Sequence, residues 1–208
     1  MCGRFTTDTE TDEEELSRIL SRAANNTPSA SVFACAREVF PSDPAAVLYR
    51  RDPARLTQGS SWYGTRFFRW GYPMDRKLLI NARAENAEER PVFCASLVSR
   101  RCIIPTAGFF EWTHTKEKVK YRFNTGDSGL LFLAGLYRPS EQPDPRYPDI
   151  RHEFVILTTE ANASMAPVHT RMPVILRPDQ LRMWLYSETD ARRILTEPPP
   201  ELHRKAVI

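Results

Sequence analysis

The sequence predicts an α+β domain, with an antiparallel or mixed β-sheet in a barrel-like core and a few short helices around it. Three observations carry this. Short segments rich in β-branched and aromatic residues outnumber the helical ones. They do not alternate strictly with helices, which argues against a doubly wound parallel sheet. The chain has 208 residues, 41% of them hydrophobic, enough for one domain with a sizeable core. Residues 2–190 form that domain, and 191–208 are expected to be a Pro-rich C-terminal tail with no core role.

Each element follows from local pattern. Thr11 to Ala24 reads as an amphipathic helix. Thr11 caps it, Glu14 completes a capping box, and Leu16, Ile19 and Leu20 form its apolar face. Residues 25–45 are rich in Ser, Pro and Ala and read as irregular, with a short extended piece at Val39-Phe40. Strands are expected at 46–49, 77–80, 101–104, 119–123, 130–137, 154–158 and 174–176. Helices are expected at 91–98 and 178–186, each with a proline at its start, and a helical turn at 162–165. Three prolines between Gln142 and Asp149 mark a loop.

Composition excludes several classes. No apolar run approaches the roughly 18 residues of a membrane span, and no signal peptide is visible after Phe5. The expected location is the cytoplasm, or the nucleus in a eukaryote. The four cysteines form no C-x-x-C pair, so no metal site is expected, and no cofactor is implied. Cys35, Cys94 and Cys102 read as structural. Net charge is only +3. Basic residues nevertheless interleave with aromatics: Arg66 and Arg69 among Trp62, Tyr63, Phe67, Phe68 and Trp70; Arg100-Arg101; and Lys116 to Arg122 after Trp112. That pattern suits a single nucleic-acid strand, or core aromatics beside solvated charges, which the pattern taken alone favours.

Cys2 is the most informative residue. It follows Met1 in the run Met1-Cys2-Gly3-Arg4-Phe5, and a small second residue favours methionine removal. A terminal cysteine carries an α-amine of pKa about 7.7–8.0 and a thiol near 8.5, so both are partly nucleophilic near neutral pH. A 1,2-aminothiol condenses with an aldehyde: the amine forms a Schiff base and the thiol closes a thiazolidine. Three further segments set polar groups among apolar residues, Pro or Gly: Leu79 to Glu85, Arg101 to Trp112, and Val168 to Pro173.

Together these four segments resemble the SRAP family, whose members crosslink covalently to abasic sites in single-stranded DNA. The resemblance rests on Met-Cys-Gly-Arg at the start, Asn81-Ala82-Arg83-Ala84-Glu85, Arg101-Cys102-Ile103-Ile104-Pro105 continuing to Gly108-Phe109-Phe110-Glu111-Trp112, and His169-Thr170-Arg171-Met172-Pro173. Trp70-Gly71 and Ile156 to Thr159 match two further family steps. The resemblance runs from Met1 to about Tyr186. It implies Cys2 as nucleophile, with Asn81, Glu111 and His169 around it. It implies DNA contacts at Arg4, Pro41, Trp70, Gly71, Arg83, Trp112, Thr158 and Arg171. Pro41 is the retained residue of a loop that usually reads Asn-x-Ala-Pro and here reads Glu38-Val39-Phe40-Pro41. The implied role is protection of abasic sites during the DNA damage response by a monomeric protein, with no membrane partner.

The residues themselves leave alternatives open. Glu111, flanked by Phe110 and Trp112, could be a desolvated proton carrier or a strand-end surface carboxylate. His169 could shuttle protons or simply bind a backbone carbonyl. Asn81 could orient the nucleophile or serve a turn. Arg83 and Arg171 could hold phosphates or form salt bridges, with Glu85 the partner expected for Arg83. His114, His152 and His203 read as exposed. A Met-Cys-Gly start also opens N-terminal-nucleophile amidohydrolases, although Arg4 stands where their apolar residue belongs. A cysteine peptidase is a further alternative, since the family has been classed that way. A non-catalytic single-strand binder is the third.

Overall fold

Period-two alternation decides most of this structure, because residues i, i+2 and i+4 of a strand share one face. In the computed structural model, residues 2–8, 14–36, 38–52, 54, 61–126 and 129–207 are described. They form, in order, β1 (Phe5–Thr6), α1 (Glu14–Asn26), β2 (Glu38–Val39), β3 (Pro44–Arg50), β4 (Tyr63–Trp70), β5 (Tyr72–Met74), β6 (Lys77–Leu79) and β7 (Asn81–Arg83). Then follow α2 (Pro91–Ser99), β8 (Arg101–Thr106), β9 (Gly108–Trp112), β10 (Lys120–Asn124), β11 (Leu131–Pro139) and β12 (His152–Glu160). The chain ends with β13 (Arg171–Pro173), β14 (Ile175–Leu176), α3 (Leu181–Tyr186), α4 (Glu188–Ile194) and β15 (His203–Val207). The α+β class holds.

One sheet runs β13-β12-β4-β3-β8-β11-β14, and an additional β11–β12 pairing closes its five central strands into a ring. The second sheet runs β15-β10-β9-β1-β2 and packs its Phe5, Phe109 and Phe123 against the ring's interior. Inner-face residues Ala45, Val47, Phe68, Trp70, Cys102, Ile104, Phe154 and Ile156 are fully or almost fully buried. The alternate positions, Ala46, Leu48, Phe67, Ile103, Val155 and Leu157, face outward under the helices. There they meet Leu16, Ile19 and Leu20 of α1, Phe93 and Leu97 of α2, and Trp184 of α3. The expected apolar face of α1 is thus confirmed; the Thr11 cap lies outside the described residues.

Three expectations are corrected. Residues 28–35 are a 3₁₀ helix rather than irregular chain. Phe67, Phe68 and Trp70 are core residues of β4, so their interleaving with arginines reflects strand alternation and not a nucleic-acid surface. Arg101 is buried too: it donates to the carbonyls of Leu97 (2.7 Å), Val98 (2.6 Å) and Trp184 (2.5 Å), satisfying groups at the end of α2. The C-terminal segment is also not a free tail. His203–Val207 pairs with Lys120–Asn124, Leu202 is buried, and Asn162 Nδ2 donates to the carbonyl of Pro200 at 2.8 Å.

The ring closes over a buried ionic cluster. Glu153 of β12 is 1% exposed and takes Arg69 of β4 at 2.5 Å, Arg138 of β11 at 3.2 Å and the Ser140 hydroxyl at 2.9 Å. It therefore ties the seam strand to both neighbours. Breaking a buried pair by removing one partner typically costs about 3–5 kcal/mol, because the other charges lose their compensation. Glu153→Ala is expected to lower the unfolding free energy by about that much in urea titration, with Glu153→Gln recovering part of it through its retained acceptor.

Candidate active site

The first residues of the chain are held by β1, which pairs with Val39 and Glu38 on one side and with Phe109 and Gly108 on the other. This places Cys2 against the end of the ring, fully buried. Its thiol donates weakly to the Arg4 carbonyl at 3.8 Å. Burial raises the thiol pKa far above the ordinary value, and the nearby Glu111 charge raises it further. Asn81, the first residue of β7, donates its Nδ2 to the Cys2 carbonyl at 3.1 Å, and its buried Oδ1 accepts no hydrogen bond among the described residues. A buried acceptor without a donor is uncommon and sits here beside the candidate nucleophile.

Glu111 lies in β9, directly opposite Tyr121 of β10, and is 5% exposed. It is an inward-facing carboxylate, not a strand-end surface group. His169 follows the turn after β12. Its Nδ1 accepts the backbone N–H of Arg171 at 2.9 Å, which fixes the ring. Burial lowers the His169 pKa; His114 adds to this, and Glu111 opposes it. Glu111 therefore acts electrostatically on both Cys2 and His169. The structure brings together all four expected catalytic residues, from β7, β9, the chain start and a loop. Beside them stands His114, exposed as the sequence predicts, with its ring 5.0 Å from the His169 ring. Its only sequence signal was its place two residues after Trp112.

The rim is basic and aromatic. The Arg4 guanidinium lies over the rings of Phe40 (4.3 Å) and Trp112 (5.0 Å) and reaches Glu38 at 3.3 Å. Lys120 shares Glu38 at 2.8 Å and covers Phe110 at 3.9 Å. Phe40 is exposed beside Pro41. Arg83 is exposed and makes no ion pair among the described residues; Glu85 instead takes Arg171 in a two-pronged pair at 2.7 and 2.8 Å, so the alternative Arg83–Glu85 pairing does not form. Arg171 also donates to the Thr158 carbonyl at 2.7 Å. Thr158 is buried, with its hydroxyl toward the Ala82 carbonyl at 3.4 Å.

Trp70 departs from expectation most. It is fully buried, its Nε1 donates to the Ile80 carbonyl at 3.0 Å, and its ring stacks on Phe154 at 6.2 Å and meets Phe5 at 5.1 Å. No face is left for a base. Gly71 is structural as well: its φ is +109°, and a Cβ would come within 2.6 Å of Leu78. Trp70→Ala is therefore expected to cost about 3–5 kcal/mol of stability by thermal or urea unfolding, like other large core truncations.

The histidines carry a pH dependence. His169 and His152 both titrate below the ordinary value of about 6.5, His152 through burial first and Arg66 second. The unfolded chain keeps the ordinary value and so binds more protons in that window, and stability rises with pH there. The contribution is fully present above about 6.5 and is lost as pH falls through the lowered values. Unfolding free energy is expected to drop between about pH 7 and pH 5, with both rings titrating below the free value by NMR. A ring titrating above it contradicts the assigned environment.

Against known proteins the chain is similar to several relatives. It is 41% identical to the abasic site processing protein YoaM of Bacillus subtilis over 128 residues, 56% of this chain and 54% of that one. It thus spans about half the length of the first curated relatives it matches. It is 27% identical to the abasic site processing protein YedK of Escherichia coli over 197 residues, covering 92% of this chain and 82% of that one. Among solved structures, a protein from Bordetella bronchiseptica superposes with a TM-score of 0.74 at 22% identity over the whole of both chains, a likeness of fold. The profile described as SOS response associated peptidase (SRAP) matches residues 1–207, and the chain belongs to that family.

Proposed function

We propose that this protein binds single-stranded DNA and captures abasic sites covalently through Cys2 once Met1 is removed. The observation that carries the reading is the buried Cys2 set among Asn81, Glu111 and His169, with an unused Asn81 acceptor beside it. Removing Met1 turns the Cys2 amide nitrogen into an amine, and Asn81 Oδ1 is the acceptor available to orient it.

An abasic sugar in equilibrium exposes an aldehyde. The Cys2 amine adds to its carbon, forming a C–N bond. The resulting carbinolamine loses water to give an imine. The thiol then adds to the imine carbon, its proton passes to nitrogen, and a thiazolidine closes; one water leaves per adduct. The raised thiol pKa suits this order, since a protonated thiol leaves the first attack to the amine. Glu111 takes a proton from the amine and returns one to the departing sugar oxygen, and His169, held neutral by its surroundings, shares that traffic. Arg4, Lys120, Arg83 and Arg171 supply the positive rim for phosphates, and Trp112 and Phe40 the rings for bases.

Processed protein mixed with an abasic single-stranded oligonucleotide is expected to give a one-to-one adduct by intact mass spectrometry, shifted by the oligonucleotide mass less one water. Cys2→Ala should yield no stable adduct; an undiminished one would sink the assignment. Glu111→Gln should slow crosslinking by roughly 10²–10⁴-fold while leaving affinity for intact single-stranded DNA within about twofold. Equal rates for Glu111→Gln and wild type would make Glu111 structural. Hydrolysis of a peptide or amide with no DNA adduct would favour the amidohydrolase or peptidase alternative.

A further inference from the structure

The ring of strands has two mouths. Cys2 sits at one. The other lies at the far end of β3 and β4, about 20 Å away along seven residues at roughly 3.3 Å each. Inner-face alternation along β3 ends there at Tyr49. Tyr137 of β11 and His152 of β12 join it. Their rings stand over Phe68, with centroids 5.6 Å (Tyr49), 5.2 Å (Tyr137) and 4.8 Å (His152) away. Arg66 of β4 pairs opposite the inward-facing Val47, so it roots on the inner face while remaining exposed. Two adjoining cavities open here, of about 370 and 190 Å³, and Tyr49 and Arg66 line both.

Charge at this mouth is one-sided. Arg22 and Arg51 join Arg66 around the larger cavity, and Arg50 and Arg151 join it around the smaller. None of these five guanidiniums forms an ion pair among the described residues. The single carboxylate lining either cavity, Asp149, accepts the Ser29 backbone N–H at 2.9 Å. Arg51 spends one donor on the Ser61 carbonyl, and Arg50 lies over Tyr186. Arg22, Arg50, Arg66 and Arg151 are exposed, and Arg51 is half-buried. Crowded like charges with unused donors in a concave, ring-floored site are relieved by an anion, and guanidiniums match phosphate oxygens two at a time. Rings set between the arginines offer stacking to bases as well. Two cavities sharing one arginine suit successive phosphates of a strand better than one isolated ion.

We propose that this second mouth is a phosphodiester-binding cleft for single-stranded nucleic acid, separate from the Cys2 mouth and involving no covalent step. Two histidines make the sites separately observable, since His152 reports this mouth and His169 the other. The test is NMR of the histidine rings while an undamaged single-stranded oligonucleotide is added, alongside inorganic phosphate alone and an uncharged methylphosphonate oligomer of the same sequence. The oligonucleotide is expected to move the His152 signals, and Arg66→Ala to weaken the affinity read at His152 about tenfold, the loss of one charged hydrogen-bond pair. Arg66→Lys, which keeps the charge but not the paired donors, should fall between, and guards against a misfolded alanine variant, as does a melting curve on each protein. His152 signals that stay fixed while His169 signals move would overturn the proposal. So would His152 movement by inorganic phosphate matching that of the oligonucleotide at equal phosphate concentration, or by the methylphosphonate oligomer to the same extent.

Discussion

Chain termini ordinarily fray, because few contacts repay the entropy of ordering them. Here two residues near the start, Phe5 and Thr6, form an interior strand of a sheet, paired on both sides. The Thr6 carbonyl accepts from the Ala107 backbone at 2.8 Å and from the Thr106 hydroxyl at 2.5 Å, and the Arg4 carbonyl accepts from the Phe110 backbone at 2.9 Å. Phe5 is wholly buried against Trp70. With both sides of β1 paired and Phe5 anchored, Cys2 has almost no positional freedom. Glu111 is fixed in turn, because it lies two residues beyond Phe109, the partner of Phe5. The catalytic geometry is thus a consequence of strand register: a slip of one residue would turn Glu111 out of the site and Phe110 into it.

The two acidic residues at the rim play a different part from Glu111. Glu38 joins Arg4 to Lys120, and Glu85 holds Arg171 in a two-pronged pair. Both carboxylates are partly exposed, so these pairs contribute little to stability. Their effect is on position: each limits a long cationic side chain to one place before any phosphate arrives. The Arg4 guanidinium is further confined between Phe40 and Trp112. Preorganised cations lose less rotamer entropy on binding an anion than free ones. On the proposed reading each carboxylate would compete with an incoming phosphate, which favours a ligand offering several phosphates at once.

Much of the site was legible before the fold was known, and the reason is chemical. Cys2, Asn81, Glu111 and His169 stand in short segments where polar groups interrupt apolar ones; local sequence shows those interruptions, and the resemblance to the family is what singled out these four residues. The helices at 91–99 and 181–186 and most core strands were legible too, from Pro starts and β-branched runs. What failed was anything decided by partners far away in the chain. β4 reads Tyr-Gly-Thr-Arg-Phe-Phe-Arg-Trp, and its arginines disguise a core strand, since nothing local shows that Arg69 meets Glu153 eighty-four residues later. The pairing of Glu85 with Arg171 instead of Arg83 is of the same kind. β15, exposed throughout and opening on His203-Arg204-Lys205, carries no alternating hydrophobic signal; it is held as an edge strand by backbone pairing with β10 and by the buried Leu202 before it.

The buried place of Trp70 constrains how a strand could lie on this surface. On the proposed reading a base needs an open ring, and Trp70 gives none: one face meets Phe154, the edge meets Phe5, and the N–H is spent on Ile80. Gly71 follows it with a positive φ that turns the chain, and its N–H donates to the Phe154 carbonyl at 2.7 Å. The aromatic–glycine pair therefore builds the wall behind Cys2. Stacking must come from the other side of Cys2, where Trp112 is half-buried and Phe40 exposed. Arg83 and Arg171 lie on β7 and β13, both paired with β12, whereas Arg4, Phe40 and Trp112 belong to the second sheet or its loops. On the proposed reading, a strand crossing Cys2 would meet cations from one sheet and rings, with Arg4 between them, from the other. On that same reading the abasic position, having no base to stack, is the nucleotide that suits the junction where the two sheets meet.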